Sequence, residues 1–222
     1  MVHANAPRLT ILVLAVACLS CGEKSPQGTA PWALEAPAQK EGWQTIKSAG
    51  FGLSVPQGWA AIDLTSGDME EMLATLGSSS ATFRQLEEQV RDAASAGAIK
   101  LFVFHEIEGE TEFAENLNVV VTEVPSAPTL GWIETGCRQE LSRIIVSGSS
   151  IRAQPIDLPA GKAMRFQSRL DLSLPQVDYV ASLAYIFGKG KRLFVVTFSS
   201  KPEREEKIVA EADEIMRTFV VN

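Results

Sequence analysis

The chain has 222 residues, is 45% hydrophobic, and carries 20 basic and 27 acidic side chains for a net charge of −7. This apolar fraction is normal for a globular protein, and roughly 200 residues behind a leader suffice for one domain with a substantial core. The acidic balance argues against nucleic-acid binding, because contacts to phosphate need clustered Lys and Arg. It also argues against electrostatic adhesion to anionic lipid.

The N-terminus predicts an export signal. Every residue from Leu9 to Leu19 except Thr10 is apolar, and Arg8 precedes the run. The run is shorter than the ~20 residues that a helix needs to cross a bilayer, but it has the length of a signal-peptide core. We therefore expect residues 1–20 to be a signal peptide.

Two cysteines, Cys18 and Cys21, close this leader as C-x-x-C. A redox dithiol is expected near a βαβ pattern of a folded domain, not at the end of an export signal. A zinc site needs a second pair of ligands, and the later candidates are only His105 and Cys137. The pattern instead resembles a bacterial lipobox.

In lipobox signals the cysteine that follows small residues is acylated and becomes the first residue of the mature chain. Ser20 before Cys21, Gly22 after it and the longer apolar run favour Cys21 as the lipidation site. Cys18, preceded by Ala15-Val16-Ala17, is the alternative, and a secretory signal without lipid is also open. Because Gly22 is not Asp, resemblance to known sorting signals implies the outer membrane in a bacterium with two membranes.

The remaining chain divides into a tether and a domain. Residues 21–42 are rich in Pro, Ala, Gly and charge and lack apolar periodicity, which predicts a flexible tether. Residues 43–222 carry strand and helix patterns. We predict short strands in "WQTIKSA" and "FGLSVP", helices over 66–77 and 80–96, strands over 98–107 and 116–124, a helix from Pro128 to Ser147-Gly148, strands over 162–172, 178–187 and 192–199, and a final helix opened by Pro202.

The strand faces predict the architecture. Strand 178–187 carries Tyr185 and Phe187 on one face and Ala184 and Ile186 on the other. A sheet with one face in water would alternate apolar and polar residues, so this sheet should be covered on both sides. Tight hairpins such as Gly188-Lys189-Gly190 make it antiparallel. We therefore predict an α+β fold, a three-layer α/β/α sandwich around an antiparallel sheet.

Several segments resemble the PsbP-like superfamily, which includes bacterial lipoproteins of the DcrB-like and LpqN-like kinds. They are "FGLSVPQGW" (51–59), "NVVV" (118–121), the hairpin 179–198 and the closing "IMRTF" (215–219). The resemblance spans most of 43–222 and implies the same α/β/α fold. It further implies a non-enzymatic accessory or binding role at a membrane surface, with no catalytic residue carried over.

The residues themselves show no catalytic constellation, so we expect no enzyme and no cofactor. His105 is interpreted as a polar strand end, and Cys137 as a small hydrophobic residue on the buried face of its helix. The sequence "GKGKR" (188–192) is interpreted as a hairpin tip, with an anion site as the alternative.

An acidic cluster surrounds His105 in "HEIEGETEFAE" (105–115). Carboxylates with an imidazole can hold a divalent cation, but the spacing matches no known metal motif. We therefore interpret it as a solvated loop and predict no metal site, leaving a weak cation site as the alternative.

The sequence thus predicts a lipid-anchored protein on the periplasmic or extracellular face of a membrane. We expect it to bind or assemble with an envelope protein partner. The alternative is a small-ligand-binding lipoprotein with an aromatic-lined cleft between sheet and helices, and an envelope hydrolase is the least favoured class.

Overall fold

A computed structural model describes residues 40–48, 50–65, 99–105, 115–171 and 178–222. The strands are β1 (Trp43–Ser48), β2 (Phe51–Pro56), β3 (Trp59–Asp63), β4 (Ile99–His105), β5 (Glu115–Glu123), β6 (Arg152–Leu158), β7 (Gly161–Leu170), β8 (Val180–Lys189), β9 (Arg192–Ser200) and β10 (Val220–Val221). The helices are α1 (Leu130–Leu141), a 3-10 turn (Pro202–Arg204) and α2 (Glu205–Met216). Cys18, Cys21, the leader 1–20, most of the tether and the predicted helices 66–77 and 80–96 lie outside the described residues.

The strands form two antiparallel sheets. The larger has the order β3-β4-β5-β9-β8-β7-β6, and the smaller has the order β1-β2-β10. Helix α1 packs on one face of the large sheet against β7 and β8, whereas α2 packs on the other face beside β2. The predicted α+β sandwich is confirmed, with the small sheet sharing the α2 layer.

The face assignment predicted from β8 is also confirmed. Tyr185 and Phe187 belong to the core beneath α2, while Ala184 and Ile186 belong to the core beneath α1. Because both faces of β8 are covered, its burial is continuous rather than alternating.

Stacked aromatic rings join the small sheet to the large one. Phe51 of β2 stacks on Phe219 with 5.4 Å between ring centroids, and Phe219 meets the edges of Phe187 and Phe194. All four rings are fully buried. Ring pairs of this kind add about 0.5–1.5 kcal/mol beyond their buried area. This packing holds β2 against the end of α2.

Helix α1 is shorter than the sequence predicted. The Thr129 hydroxyl accepts a hydrogen bond from Trp132 N at 3.2 Å and caps its start, but the helix ends at Leu141 instead of Ser147-Gly148. Beyond it, Ile145 forms a β-bridge with Leu170. Pairing with the sheet therefore replaces the last predicted turn.

Three strands were not predicted. Strand β6 contains Pro155 and is mostly exposed, so its sequence lacks the apolar alternation of a strand. It lies at the edge of the large sheet, where a missing N–H is tolerated. Strand β3 immediately follows a turn at Gly58, and β10 has two residues. Within the described residues, no helix is long and apolar enough to cross a membrane.

A polar pair lies in the middle of the large sheet. Asn118 of β5 and Thr197 of β9 are cross-strand neighbours, and both are buried. Within the described part of the chain, neither the Asn118 amide nor the Thr197 hydroxyl has a hydrogen-bond partner. Burying polar atoms without partners costs free energy, so this pair reduces stability.

We expect Thr197→Val to raise the free energy of unfolding by about 1 kcal/mol, because valine fills the same space without a buried hydroxyl. Urea denaturation monitored by circular dichroism measures the change. The matched control is Thr218→Val, since the Thr218 hydroxyl accepts from Ser54 N at 2.8 Å and donates to Ile215 O at 2.7 Å. This second substitution should destabilise the protein, and equal effects of the two would contradict the account.

Candidate functional site

Strand β7 alternates buried apolar residues with polar ones, and three of these polar side chains, partly buried or exposed, lie beside α2. Arg165, Gln167 and Arg169 point toward the α2 side of the sheet and meet carboxylates of α2. A pattern typical of a sheet edge is therefore used to attach a helix.

Asp213 is the central attachment of α2. It accepts from Arg165 Nη1 at 2.7 and 3.0 Å and from the Tyr185 hydroxyl at 2.6 Å. Burial, followed by the hydrogen bond to Asp213, raises the pKa of Tyr185 well above its usual value. Although burial lowers the pKa of Arg165, the bonds to Asp213 outweigh it and raise that pKa overall. Tyr185 therefore stays protonated and Arg165 stays charged at neutral pH, so both remain donors to Asp213.

Glu205 attaches the start of α2. Its carboxylate accepts from Arg169 Nε at 3.0 Å, from Gln167 Nε2 at 3.2 Å and from the Tyr179 hydroxyl at 3.3 Å. The Arg169 guanidinium also lies 5.0 Å above the Tyr179 ring. These contacts leave Glu205 fully engaged in the fold.

A third attachment centres on Glu115. Arg204 Nε and Nη2 donate to its two oxygens at 2.5 and 2.8 Å, and His105 Nδ1 lies 3.4 Å from one of them. The His105 ring stacks on Trp59 with 5.2 Å between centroids, and Trp59 Nε1 donates to Glu211 at 3.2 Å. Strands β3, β4 and β5 are thereby tied to the 3-10 turn and α2.

This network corrects one interpretation of the acidic segment. Glu115 was expected in a solvated loop, yet its side chain is 0% exposed and is ion-paired with Arg204. His105 does end β4 as predicted, whereas residues 106–114 lie outside the described residues. With Arg204 bound to both oxygens, Glu115 is not available to a cation, and the described residues contain no cluster of three metal ligands.

Cys137 and the segment 188–192, the other candidates from the sequence, both have the structural roles that were predicted for them. Cys137 is 3% exposed on the inner face of α1, as predicted for a small hydrophobic residue. The segment 188–192 is a hairpin tip, also as predicted, with Gly190 at φ 61°. Arg192 turns away from that tip and donates to the Asn222 carbonyl at 2.7 Å.

A polar cleft of about 630 Å³ opens beside the start of α2. Its lining comes from the loop 148–150, the first residue of β6, strand β7, Tyr179 just before β8, and the 3-10 turn with α2. The charged lining residues are Arg152, Arg169, Glu203, Glu205 and Glu206. The cleft has the volume of a small-molecule site, although its lining is more polar than is usual. Sequence reasoning did not identify these residues.

A second, apolar groove of about 280 Å³ runs beside α1. Ile133 and Cys137 of α1 and Ile186 and Leu193 of the sheet line it, and Trp132 borders it. Trp132 is 52% exposed and is the one large hydrophobic side chain of the described residues that is exposed.

No family model matches the chain, and no curated protein matches it. Among solved structures, it is similar to cyanobacterial PsbP of Synechocystis, with a TM-score of 0.49, 17% identity and coverage of 89% of this chain and 100% of that one. It is also similar to LpqN of Mycobacterium tuberculosis, a protein involved in cell envelope biogenesis, with a TM-score of 0.47, 9% identity and coverage of 81% and 91%. The PsbP-like and LpqN-like resemblance of the sequence names the same two kinds of protein.

We expect Arg204→Met to lower the free energy of unfolding by about 3–5 kcal/mol, because Glu115 would remain buried with only the longer contact to His105 at 3.4 Å. Adding Glu115→Gln to Arg204→Met should recover part of this loss, because it replaces the buried carboxylate with a neutral amide. Urea denaturation of the single and double variants measures both effects.

The control is Arg143→Met, which breaks the exposed ion pair with Glu140. That loss should stay below about 1 kcal/mol. A similar loss for Arg143→Met and Arg204→Met would show that the burial of Glu115 has no energetic consequence.

Proposed function

We propose that this protein is a non-enzymatic binding module, held at the outside of a membrane by lipid on Cys21, that docks an envelope protein partner on α1. The observation that carries the proposal is the exposed Trp132 beside the apolar groove. Tryptophan next to an apolar recess is the side chain that most often dominates the energy of protein interfaces.

The composition of α1 supports the same surface. Gly131 and Gly136 lie within this 12-residue helix, where each glycine costs about 1 kcal/mol relative to alanine. A Cβ added at either position would meet no atom within 4 Å, so packing inside the described part of the chain does not require glycine there. Glycine does allow the backbone of another molecule to approach closely. The partner that fits is a protein segment presenting apolar side chains.

The N-terminal sequence supports the setting. The apolar leader and the Ser20-Cys21-Gly22 junction are typical of a lipidated envelope protein, and an acidic chain would not adhere electrostatically to anionic lipid. Residues 21–42 have the composition of a flexible tether, and about 20 residues of such a chain would reach roughly 25 Å r.m.s., which would let the domain meet a membrane complex.

We expect Gly136→Ala to stabilise the protein by about 0.5–1 kcal/mol while it weakens partner capture, because the methyl group would stand where the partner's backbone approaches. Trp132→Ala should also weaken capture without unfolding the domain. Crosslinking in native membranes with identification of the captured proteins measures binding, and urea denaturation measures stability.

The matched control is Lys207→Ala on α2, an exposed residue on the other face of the sheet. It should leave capture unchanged. If Trp132→Ala and Gly136→Ala capture the same proteins as the native chain in the same yield, α1 is not the docking surface.

Intact-mass measurement of membrane-extracted protein tests the anchor. We expect a chain beginning at Cys21 with added acyl mass, and we expect Cys21→Ser to release the protein from membranes. Cys18→Ser should leave the acylated species in place. If Cys18→Ser rather than Cys21→Ser removes the acyl mass, the lipid is attached to Cys18. A mature chain without acyl mass would refute the lipid anchor.

A second candidate function, binding of a small ligand, is favoured by the polar cleft of about 630 Å³ beside α2. The cleft differs from the aromatic-lined one that the sequence suggested. The aromatic side chains between the large sheet and α2 pack against one another and are buried. A thermal-shift screen of metabolites distinguishes this function from partner docking, because a cleft ligand should bind equally well to Trp132→Ala.

A further inference from the structure

The charges that line the polar cleft fall into two groups. Arg169 and Glu205 are bound to each other and to Tyr179, and they form a fixed part of its lining. Arg152, Glu203 and Glu206 are exposed, and no ion pair or hydrogen bond engages their side chains within the described residues. One cation and two carboxylates therefore remain to interact with a ligand.

These side chains come from different elements. Arg152 begins the edge strand β6, Glu203 belongs to the 3-10 turn, and Glu206 lies in the first turn of α2. Because the sheet and α2 are joined by the Glu205 and Asp213 networks, the elements that carry the cation and the carboxylates are fixed relative to each other. A ligand would therefore have to order three exposed side chains but would not have to bring their elements together.

The pattern of charge selects the ligand. A simple anion would leave the two carboxylates without a partner, and a simple cation would leave Arg152 without one. A molecule with an anionic group and an ammonium group satisfies both, and the hydroxyls of Ser149 and Ser150 in the lining add hydrogen-bonding capacity.

We propose that the cleft binds a zwitterion, with the anionic group at Arg152 and the ammonium group at Glu203 and Glu206. This inference deepens the second candidate function and rests on it. The same chemistry occurs in free amino acids and short peptides and in the phosphoethanolamine headgroup of membrane lipids. A guanidinium can hold either a carboxylate or a phosphate through two parallel hydrogen bonds.

Calorimetric titration of the purified protein with four probes tests the proposal. Glycylglycine and O-phosphoethanolamine carry both charges, whereas N-acetylglycine carries only the carboxylate and glycinamide carries only the ammonium. We expect at least one doubly charged probe to bind about tenfold or more tightly than either singly charged probe, as expected when one charge-assisted contact is lost. Preference for glycylglycine indicates a peptide or amino acid, and preference for O-phosphoethanolamine indicates a lipid headgroup.

Two variants locate the binding. Arg152→Gln should weaken binding of the preferred probe about tenfold, and the double variant Glu203→Gln/Glu206→Gln should do the same independently. Lys207→Gln is the control, because it removes an exposed cation of α2 that does not line the cleft. Circular dichroism confirms that each variant is folded.

Absence of heat with both doubly charged probes would overturn the proposal. Equal affinity for the singly charged probes, or binding that Arg152→Gln leaves unchanged, would also overturn it. The result is separable from partner docking, because Trp132 and Gly136 do not line this cleft. A failed titration does not affect the proposal that α1 docks a partner. Failed partner capture does not affect the proposal that the cleft binds a ligand.

Discussion

The attachment of α2 to the large sheet through carboxylates is the interaction on which the rest of the structure depends. Asp213 binds Arg165 and Tyr185, and Glu205 binds Arg169. Partly buried ion pairs of this kind add little net stability compared with apolar residues of similar size, but losing one partner is costly. Their main consequence is geometric, because the directed hydrogen bonds allow one position of the helix along the strands.

Fixing α2 also arranges the neighbouring surfaces. The 3-10 turn that precedes the helix brings Arg204 to Glu115, the first residue of β5, and so joins this turn to the start of that strand. The same turn leaves Glu203 facing the cleft beside β6 and β7. The two glutamates that flank Arg204 in the sequence therefore differ: Glu205 is bound to side chains of the sheet, whereas Glu203 is exposed at the cleft. On the other face, Ile133, Cys137 and Leu141 of α1 bury against the sheet, and Arg138 donates to the Ile151 carbonyl at 3.0 Å.

The two proposed binding surfaces differ in chemistry. The α1 groove is apolar and carries an exposed tryptophan, which suits a protein segment, whereas the cleft beside α2 is polar and carries both signs of charge. Apolar burial gives affinity that depends little on salt, while exposed charges give selectivity that weakens as ionic strength rises. Under the two proposals, partner docking and small-molecule binding would be independent of each other, because the two surfaces share no lining residue.

Local patterns in the sequence were sufficient for much of the fold and for little of the site. Strands β8 and β9 were predictable because residues on both of their faces are apolar, a pattern that only a doubly covered sheet explains. Strand β6 was not, because Pro155 and exposed side chains remove the periodic signal at a sheet edge. The spacing of Glu205 and Asp213 on the sheet-facing side of α2, together with Arg165 and Arg169 on alternate residues of β7, was a usable signal that was not recognised. The sequence by itself determined the acidic composition and the covered antiparallel sheet, since the first is a count and the second follows from the period of apolar residues, and it predicts an export signal. Only the tertiary structure decided that Glu115 is buried on Arg204, that α1 ends at Leu141, and that Arg152, Glu203 and Glu206 share one cleft. Those outcomes depend on contacts between residues far apart in the chain, which no local pattern encodes.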